Sequence, residues 1–485
     1  MAGGTWSTTQ KPVLPGLYLN FRSAGLAAIE AGERGTVGIP IKADWGPVKE
    51  FRTITSEAEL INTYSDSTGG TALLVRLALL GGARKVITYR ITDGTEAKAS
   101  ITLKDTTTGE AIDVLKLEGK YPGAWGNKLK VSVSTNPGDS TKKDIKLYNG
   151  SILLKTFVVS GTSIDDVVTA INNDTENKWI TATKLAAGNG TLANLQATSL
   201  SGGASGITGI DAADYAEAFD KFETQDFNLF TLDGVSDSGI QTSLKAWIAK
   251  IRSQGKGVIG VIGGSGADDK AVDAVGKATA RSTAMNYEGI VNVGTGAILN
   301  GVEYESAKVA IYIAGLIAGQ NLNQSVTYAV TPFADVTRRW TRSEMEQAID
   351  NGVLILYNDG EKVKVLKGIN TLTSLGEGQN NAWKKIRSIR VMDAINADLL
   401  KTAEDNYIGK VNNTEAGRNA LIGACKEYMK TLARGGVIEN SGWDVTLDPD
   451  YYQEGVVVEP DEVYLRWEAR LTDVMEKIFG TFIVK

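Results

Sequence analysis

The chain has 485 residues, 42% of them hydrophobic and 22% charged, with a formal net charge of −6 and an isoelectric point near 5.2. That length exceeds one ordinary hydrophobic core and implies roughly three or four domains of about 100 to 200 residues each, while the acidic balance argues against nucleic acid as a main partner. Histidine is absent and Cys425 is the single cysteine, which excludes a Ser-His-Asp triad, imidazole metal sites, an internal disulfide and a multi-cysteine metal cage.

The first patterned stretch, Val13 to Phe21 (VLPGLYLNF), is apolar and strand-forming, and the far end, Ile478 to Lys485 (IFGTFIVK), reads the same way. Chain ends are usually frayed and polar. A strand there leaves unpaired N–H and C=O groups and an apolar face, so both ends are expected to be gripped by something else. Neither a long apolar span nor a basic-apolar leader stands at Met1, so membrane insertion and secretion are not expected.

From Thr53 to Gly82 the pattern is helical, with a capping-box spacing at Ser56 and Glu59 and an apolar segment, Thr71 to Leu80, stopped by Gly81-Gly82. Lys85 to Ile91 (KVITYRI) reads as a strand. Short alternating β-runs follow at Ala99 to Leu103, Ala111 to Leu117, Lys128 to Val133 and Ser151 to Val159, with one helix near Asp165. The segment SLSGGASGITG, Ser199 to Gly209, reads as a flexible boundary closing an inserted β-rich domain.

After Asp211 helices and strands alternate: a helix bearing Tyr215, Phe219 and Phe222, a strand at Phe227 to Leu232, and a helix bearing Ile240, Leu244, Trp247 and Ile251. Next come a strand at Gly257 to Ile262, a helix from about Asp268, a strand at Ile290 to Val293, a helix through Val309 to Ala318, and strands at Val353 to Tyr357 and Lys362 to Leu366. Such alternation implies a mainly parallel sheet covered by helices on both faces. The C-terminal part offers a helix from about Asp393 and a cleaner one from Thr414 to Arg434 with Leu421, Cys425, Tyr428 and Leu432 as its buried stripe. Val463 to Leu471 (VYLRWEARL) then alternates as a half-buried strand.

Gly257 to Asp269 (GVIGVIGGSGADD) is the most enzyme-like passage, a strand, a glycine-rich turn and a helix start that can aim N–H groups at a phosphate. Its spacing matches neither GxGxxG nor GxxxxGK[ST], and Asp268 and Asp269 put negative charge where the anion would sit, so a plain strand-to-helix turn is favoured. Ser265, Ser282 and Ser306 lack any nucleophile motif. Asp211 with Asp214 and Asp448 with Asp450 lack EF-hand spacing and read as helix starts and turns. Lys426, Lys430 and Arg434 recur every four residues along one helix face, where like charges cost a few tenths of a kcal/mol each, so either a partner offsets that cost or the face is simply solvated near the negative helix end. Lys384, Lys385, Arg387 and Arg390 form a second basic cluster of undecided local structure.

Several passages together resemble the contractile tail sheath proteins of bacteriophages and phage-derived particles. They are PGLYLNF with GTVGIPIKADWGP, KVITYRI, YPGAWGNKLKVSV at Tyr121 to Val133, VAIYIAGLIAGQNLNQSVTY from Val309, GVLILYNDGEKVKVLKGINTLTS from Gly352 and RSIRVMDAINADLL from Arg387. They span nearly the whole chain in order. The resemblance implies a structural subunit without catalytic, cofactor or metal residues, which polymerises helically around an inner tail tube and contracts to drive the tube through a cell envelope. It implies an α/β and β multidomain fold, with a central doubly wound α/β domain, an inserted sandwich-like β domain projecting outward, and an α+β core from the N- and C-terminal segments. The corresponding ranges are an arm at 1–22, an α/β part at 23–91, the insert at 92–204, the central domain at 205–370, an α+β domain at 371–472 and a terminal strand at 473–485.

By the same resemblance, Val13, Leu14, Leu17, Tyr18, Leu19 and Phe21 at one end, and Ile478, Phe479, Phe482, Ile483 and Val484 at the other, exchange strands with neighbouring subunits. The basic residues Lys426, Lys430, Arg434, Lys384, Lys385, Arg387 and Arg390 become candidates for contact with the tube. Expected partners are further copies of the chain, a tube protein, baseplate and tail terminator proteins. No nucleic acid and no membrane insertion are expected, and assembly would take place in the cytoplasm of a bacterial host. A nucleotide-binding α/β enzyme and another self-assembling sheath or surface-layer protein stand as alternatives.

Overall fold

The computed structural model describes residues 34–484 and, ahead of them, the backbone of two short paired strands at Gly3–Gly4 and Leu17–Tyr18. The chain forms two compact units, one of residues 33–389 and one combining 1–32 with 390–485.

The first unit is organised by a seven-stranded sheet. Its order is Val353–Leu354, Ile290–Val293, Ile259–Gly263, Leu229–Thr231, Thr36–Ile41, Lys85–Arg90 and Phe51–Ile54. Every pairing is parallel except that of Phe51–Ile54 with Lys85–Arg90. The central strands Thr36–Ile41, Ile259–Gly263 and Ile290–Val293 are buried throughout because both faces are covered, and apart from Thr36 and Asn292 their residues are apolar or glycine. One joining was not legible in the sequence: the strands of residues 34–91 and those after Asp211 share this single sheet through Leu229–Thr231 and Thr36–Ile41.

Helices fill the crossovers. Ser306–Gly319 has twelve buried residues, Val309 to Ala318 among them, so it is enclosed on all sides. Glycines let it approach Val75–Gly81 at backbone distance: a Cβ at Gly315 would collide with the Ala78 carbonyl, and one at Gly81 with the Tyr312 carbonyl. Elsewhere in the same unit Ala212–Phe222 and Ser238–Ser253 bring Phe219, Phe222 and Trp247 against Phe227 and Phe230, an aromatic cluster of edge-on and stacked rings. Ser56 caps Glu57–Tyr64 by accepting from Glu59 N at 3.2 Å, while the Glu59 carboxylate reaches back one residue further than the usual box, to Thr55 N at 2.7 Å.

The inserted segment forms a four-stranded sheet (Ile152–Ser160, Lys142–Asn149, Leu129–Thr135, Leu195–Ser199) and a three-stranded one (Ile180–Lys184, Asp113–Gly119, Ser100–Lys104). Alternation sends Leu129, Val131 and Val133 from one sheet and Leu115 and Leu117 from the other into a common core, with helix Ile164–Asn172 closing it. Val353 to Tyr357 does not stay one strand: Val353–Leu354 ends the large sheet, and Leu356–Asn358 pairs with Val363–Val365.

In the second unit, helix Glu415–Arg434 begins at Thr414, whose hydroxyl accepts from Gly417 N at 3.1 Å, and ends at Gly435. Cys425, Tyr428 and Leu432 are buried as its periodicity requires, together with Met429, and Leu421 is half-buried. The preceding helix, Ile386–Asn406, starts about two turns earlier than expected. Tyr428 Oη donates to the buried Asp398 carboxylate at 2.6 Å, fastening the two helices. The Val463 to Leu471 strand is shorter than its alternation suggests. Leu465–Glu468 pairs with Asp444–Leu447 in a two-stranded sheet, Leu471 adds a single antiparallel bridge to Ile438, and Trp467 remains 42% exposed.

Candidate functional site

The glycine-rich turn at Gly263 to Gly266 is already filled by the protein's own groups. Ser306 Oγ accepts from Gly264 N at 2.7 Å, Glu305 Oε2 from Gly266 N at 3.0 Å, and Ser265 Oγ from Asp268 N at 3.2 Å. The amides that a phosphate would need are therefore spoken for. Asp269, 3% exposed, accepts from Ser306 N and Oγ at 2.6 Å each, and a Cβ at Gly264 would meet the Arg281 guanidinium. Ser282 donates to Gly352 O at 2.6 Å, so all three candidate nucleophile hydroxyls are engaged in the fold. Asp211 and Asp214 form a reciprocal capping box, and Asp448 accepts from Asp450 N at 3.1 Å in a turn.

Burial pushes the Asp269 carboxyl up to about 6 despite its hydrogen bonds from Ser306. Because this folded value lies above the ordinary carboxylate value of about 3.9, the site's contribution to stability is fully present below about pH 4 and is lost as pH rises through about 6. Asp269→Asn removes the titration. Its stability relative to the parent is expected to improve by roughly 2–3 kcal/mol between pH 4 and pH 7, read as a melting-temperature difference that widens with pH; parallel curves would refute the assignment.

A second polar centre sits where the inserted domain leaves and rejoins the large sheet. Arg90, fully buried, donates to Gly46 O at 2.7 Å, Pro122 O at 2.8 Å and Ser205 O at 3.1 Å, and burial lowers its pKa to about 10. Asp44 accepts from Ser205 Oγ at 2.8 Å, and Trp45 enters the insert's core, 4.9 Å from Trp125 and 5.7 Å from Tyr121. A Cβ at Gly123, where φ is +148°, would strike the Asp44 carbonyl. This corrects the reading of Ser199 to Gly209 as flexible. Ser201 bridges Ser100, Ala204 bridges Ala97, Asn127 holds both N–H and C=O of Gly203 at 2.9 Å, and Gly209 N donates to Asp93 Oδ2 at 2.8 Å. The glycines permit close approach rather than motion.

At the C-terminal end, residues 472–484 carry no strand, and Ile478, Phe479, Phe482, Ile483 and Val484 are 85%, 90%, 90%, 76% and 83% exposed. Scattered exposed apolar residues are ordinary, but a contiguous run of this size signals a partner. The same unit contains the two-stranded sheet of Asp444–Leu447 and Leu465–Glu468, whose outer edges are unpaired among the described residues. Two strands alone are marginal in water.

Four family models match in succession: the tail sheath protein Gp18 domain III N-terminal region over residues 34–91, the phage tail sheath protein beta-sandwich domain over 92–205, the phage tail sheath protein central domain over 208–371 and the phage tail sheath C-terminal domain over 378–485. The chain belongs to the phage tail sheath protein family. It is a structural subunit of a contractile tail sheath, and the nucleotide-enzyme alternative is not favoured. The sheath subunit is similar to the uncharacterized protein YqbK of Bacillus subtilis, 30% identical over 82% of this chain and 81% of that one. It is also similar to the phage-like element PBSX protein XkdK of the same organism, 26% identical over 95% and 96%. Its fold matches the crystal structure of a sheath tail protein from Desulfitobacterium hafniense with a TM-score of 0.73 at 24% identity, covering 94% of this chain and 100% of that one.

In the sheath subunit the two basic clusters differ. Arg387 is 4% exposed in the first turn of its helix, which removes it from the surface in this conformation; Lys384, Lys385 and Arg390 are partly exposed. Lys426 pairs with Asp444 at 2.8 Å and Lys430 with Glu427 at 3.3 Å, while exposed Arg434 has no ion pair among the described residues. Leu17 and Tyr18 form a short strand beside Gly3–Gly4; Val13, Leu14, Leu19 and Phe21 lie outside the described residues. Sequence reasoning missed Arg90, whose signal was a charge near the end of the buried KVITYRI strand, and, having read Val463 to Leu471 as a strand, it missed the pairing partner Asp444–Leu447 across the loop 448–464.

Proposed function

We propose that the subunit polymerises with copies of itself by donating Ile478 to Val484 as a strand to the Asp444–Leu447 and Leu465–Glu468 sheet of another copy, with Val13 to Phe21 as a second donated strand. The exposure of Ile478, Phe479, Phe482, Ile483 and Val484 carries this reading. Seven residues extend about 23 Å at roughly 3.3 Å each, and backbone hydrogen bonds worth a net 0.5 to 1.5 kcal/mol apiece give a tether of several kcal/mol before any apolar burial. Donating an end to one neighbour while accepting from another is a heterologous contact, and one that does not close builds a helix. The polymer encloses a tail tube, is bounded by baseplate and terminator proteins, and has no catalytic role. It is a part of a phage tail or phage-derived particle assembled in the host cytoplasm, and among the described residues no helix is long and apolar enough to cross a membrane.

Contraction then moves residues 34–389 as one piece while the donated strands persist as tethers, because the insert is pinned by Arg90, Asp44 and Asn127 instead of hinged. Negative-stain microscopy of the purified chain is expected to reveal tubes; flat lattices would favour a surface-layer role.

The face bearing Lys426, Lys430 and Arg434 is the proposed tube contact. With Lys426 and Lys430 already paired, reversing Arg434 is expected to cost most of the electrostatic attraction, about 1 kcal/mol or roughly fivefold in tube affinity per contact at low salt. Arg434→Glu is expected to reduce co-sedimentation with the tube protein and to leave sheath self-assembly intact; unchanged co-sedimentation would remove the assignment.

A further inference from the structure

Beside the proposed acceptor sheet lies a cavity of about 320 Å³ lined by Tyr407, Ile408, Val411, Arg418, Leu421 and Val463, all in the second unit. Ile408 is 65% and Val411 43% exposed at its rim. Arg418 Nη1 donates to Asn413 Oδ1 at 2.9 Å, whereas its Nε is buried with no acceptor among the described residues. Asp461, Asn412 and Asn413 also stand on its wall; a mainly apolar pocket with a stranded N–H donor is shaped for an apolar side chain carried on a backbone that brings a carbonyl.

Resting on the strand-donation reading above, we propose that the pocket receives Phe482 of a second copy and that a backbone carbonyl beside that ring accepts from Arg418 Nε. Three observations converge on this occupant. Cross-strand pairing places Val445 with Trp467 and Leu447 with Leu465 on one face of the sheet, and the Trp467 indole lies against Cys425 of helix Glu415–Arg434. Val463, two residues before Leu465, shares that face and lines the pocket. A strand added to this sheet presents either Ile478, Gly480, Phe482 and Val484 or Phe479, Thr481 and Ile483 toward the helix; the first set is apolar throughout. Finally, the four residues of Leu465–Glu468 cover about 13 Å and the seven donated ones about 23 Å, so roughly three residues overhang past Leu465, alongside Val463 and the pocket it lines. Phe482 thereby sets the register, which a short strand pairing by backbone alone leaves loose.

The test compares single substitutions in the full-length chain, which leave the fold intact because each site is exposed. Phe482→Ala is expected to raise the critical concentration for polymerisation tenfold or more, Ile408→Asp to do the same from the pocket side, and Phe479→Ala to raise it less than threefold. A photoactivatable benzoyl group on the residue 482 ring, in polymers mixed from isotopically light and heavy chains, is expected to label a peptide within residues 403–421 of a different copy. Equal effects of Phe482→Ala and Phe479→Ala, or labelling of the chain's own pocket, would overturn the proposal. Strand donation itself is tested separately by deleting the segment: no tubes after deletion with normal tubes for Phe482→Ala sinks the anchor alone, and normal tubes after deletion sinks both.

Discussion

Removing Ile478 to Lys485 is expected to yield a folded chain that stays monomeric at concentrations where the parent forms tubes. Within the subunit the segment carries no strand and its apolar side chains stand in solvent, so its loss takes away almost nothing that stabilises the fold. Melting temperature should move by no more than a degree or two, as for other changes away from packed contacts. Between subunits the loss is large. About five backbone hydrogen bonds at a net 0.5 to 1.5 kcal/mol each amount to several kcal/mol, and 4 kcal/mol alone is about a thousandfold in contact affinity. Sedimentation velocity on the truncated chain reads both halves of the prediction, with a single slow species expected; tubes of normal yield would contradict it.

The second large effect is expected at Arg90. Arg90→Met keeps the stem but strands the carbonyls of Gly46, Pro122 and Ser205, which the guanidinium satisfies from one point. Breaking a buried charged network from one side costs about 3–5 kcal/mol. Arg90→Lys should recover only part, since one ammonium lacks the planar fork that reaches three acceptors. The loss should be local first: the 199–209 link, whose backbone is bridged to Ala97, Ser100 and Asn127, is expected to resist proteolysis in the parent and to become cleavable in the variant. Unchanged resistance together with a normal melt would show that the dock does not depend on Arg90.

That link also marks where the sequence misleads. Glycine-rich segments between patterned domains read as flexible because local signals carry no record of distant partners, and here those partners lie about 76 to 116 residues away at Asn127 and Asp93. By contrast helix Glu415–Arg434 is legible almost to the residue, since Thr414 and Gly435 bound it and Cys425, Tyr428 and Leu432 follow its period. The parallel sheet is legible as a class from apolar runs such as Ile259–Gly263, but its strand order is not, because nothing local reveals that Thr36–Ile41 lies beside Leu229–Thr231. One half of the proposed assembly site rests on the apolar run at Ile478 to Val484, which is visible in the sequence and exposed in the structure. Of the proposed acceptor only the Leu465–Glu468 strand could be read, within the alternating Val463 to Leu471; its four-residue partner Asp444–Leu447 lies across a long loop and carries no comparable pattern. Arg387 is buried in the subunit while Lys384, Lys385 and Arg390 are partly exposed, a difference that charge in a sequence does not disclose.

Strand donation requires copies of this chain to be joined through the apolar segment at Ile478 to Val484. Helical reconstruction of the assembled polymer by electron cryomicroscopy tests that directly: the segment is expected as a strand hydrogen-bonded to the Asp444–Leu447 and Leu465–Glu468 sheet of a different copy. Density placing it back on its own subunit, or leaving it in solvent between copies that still form a tube, would contradict the account.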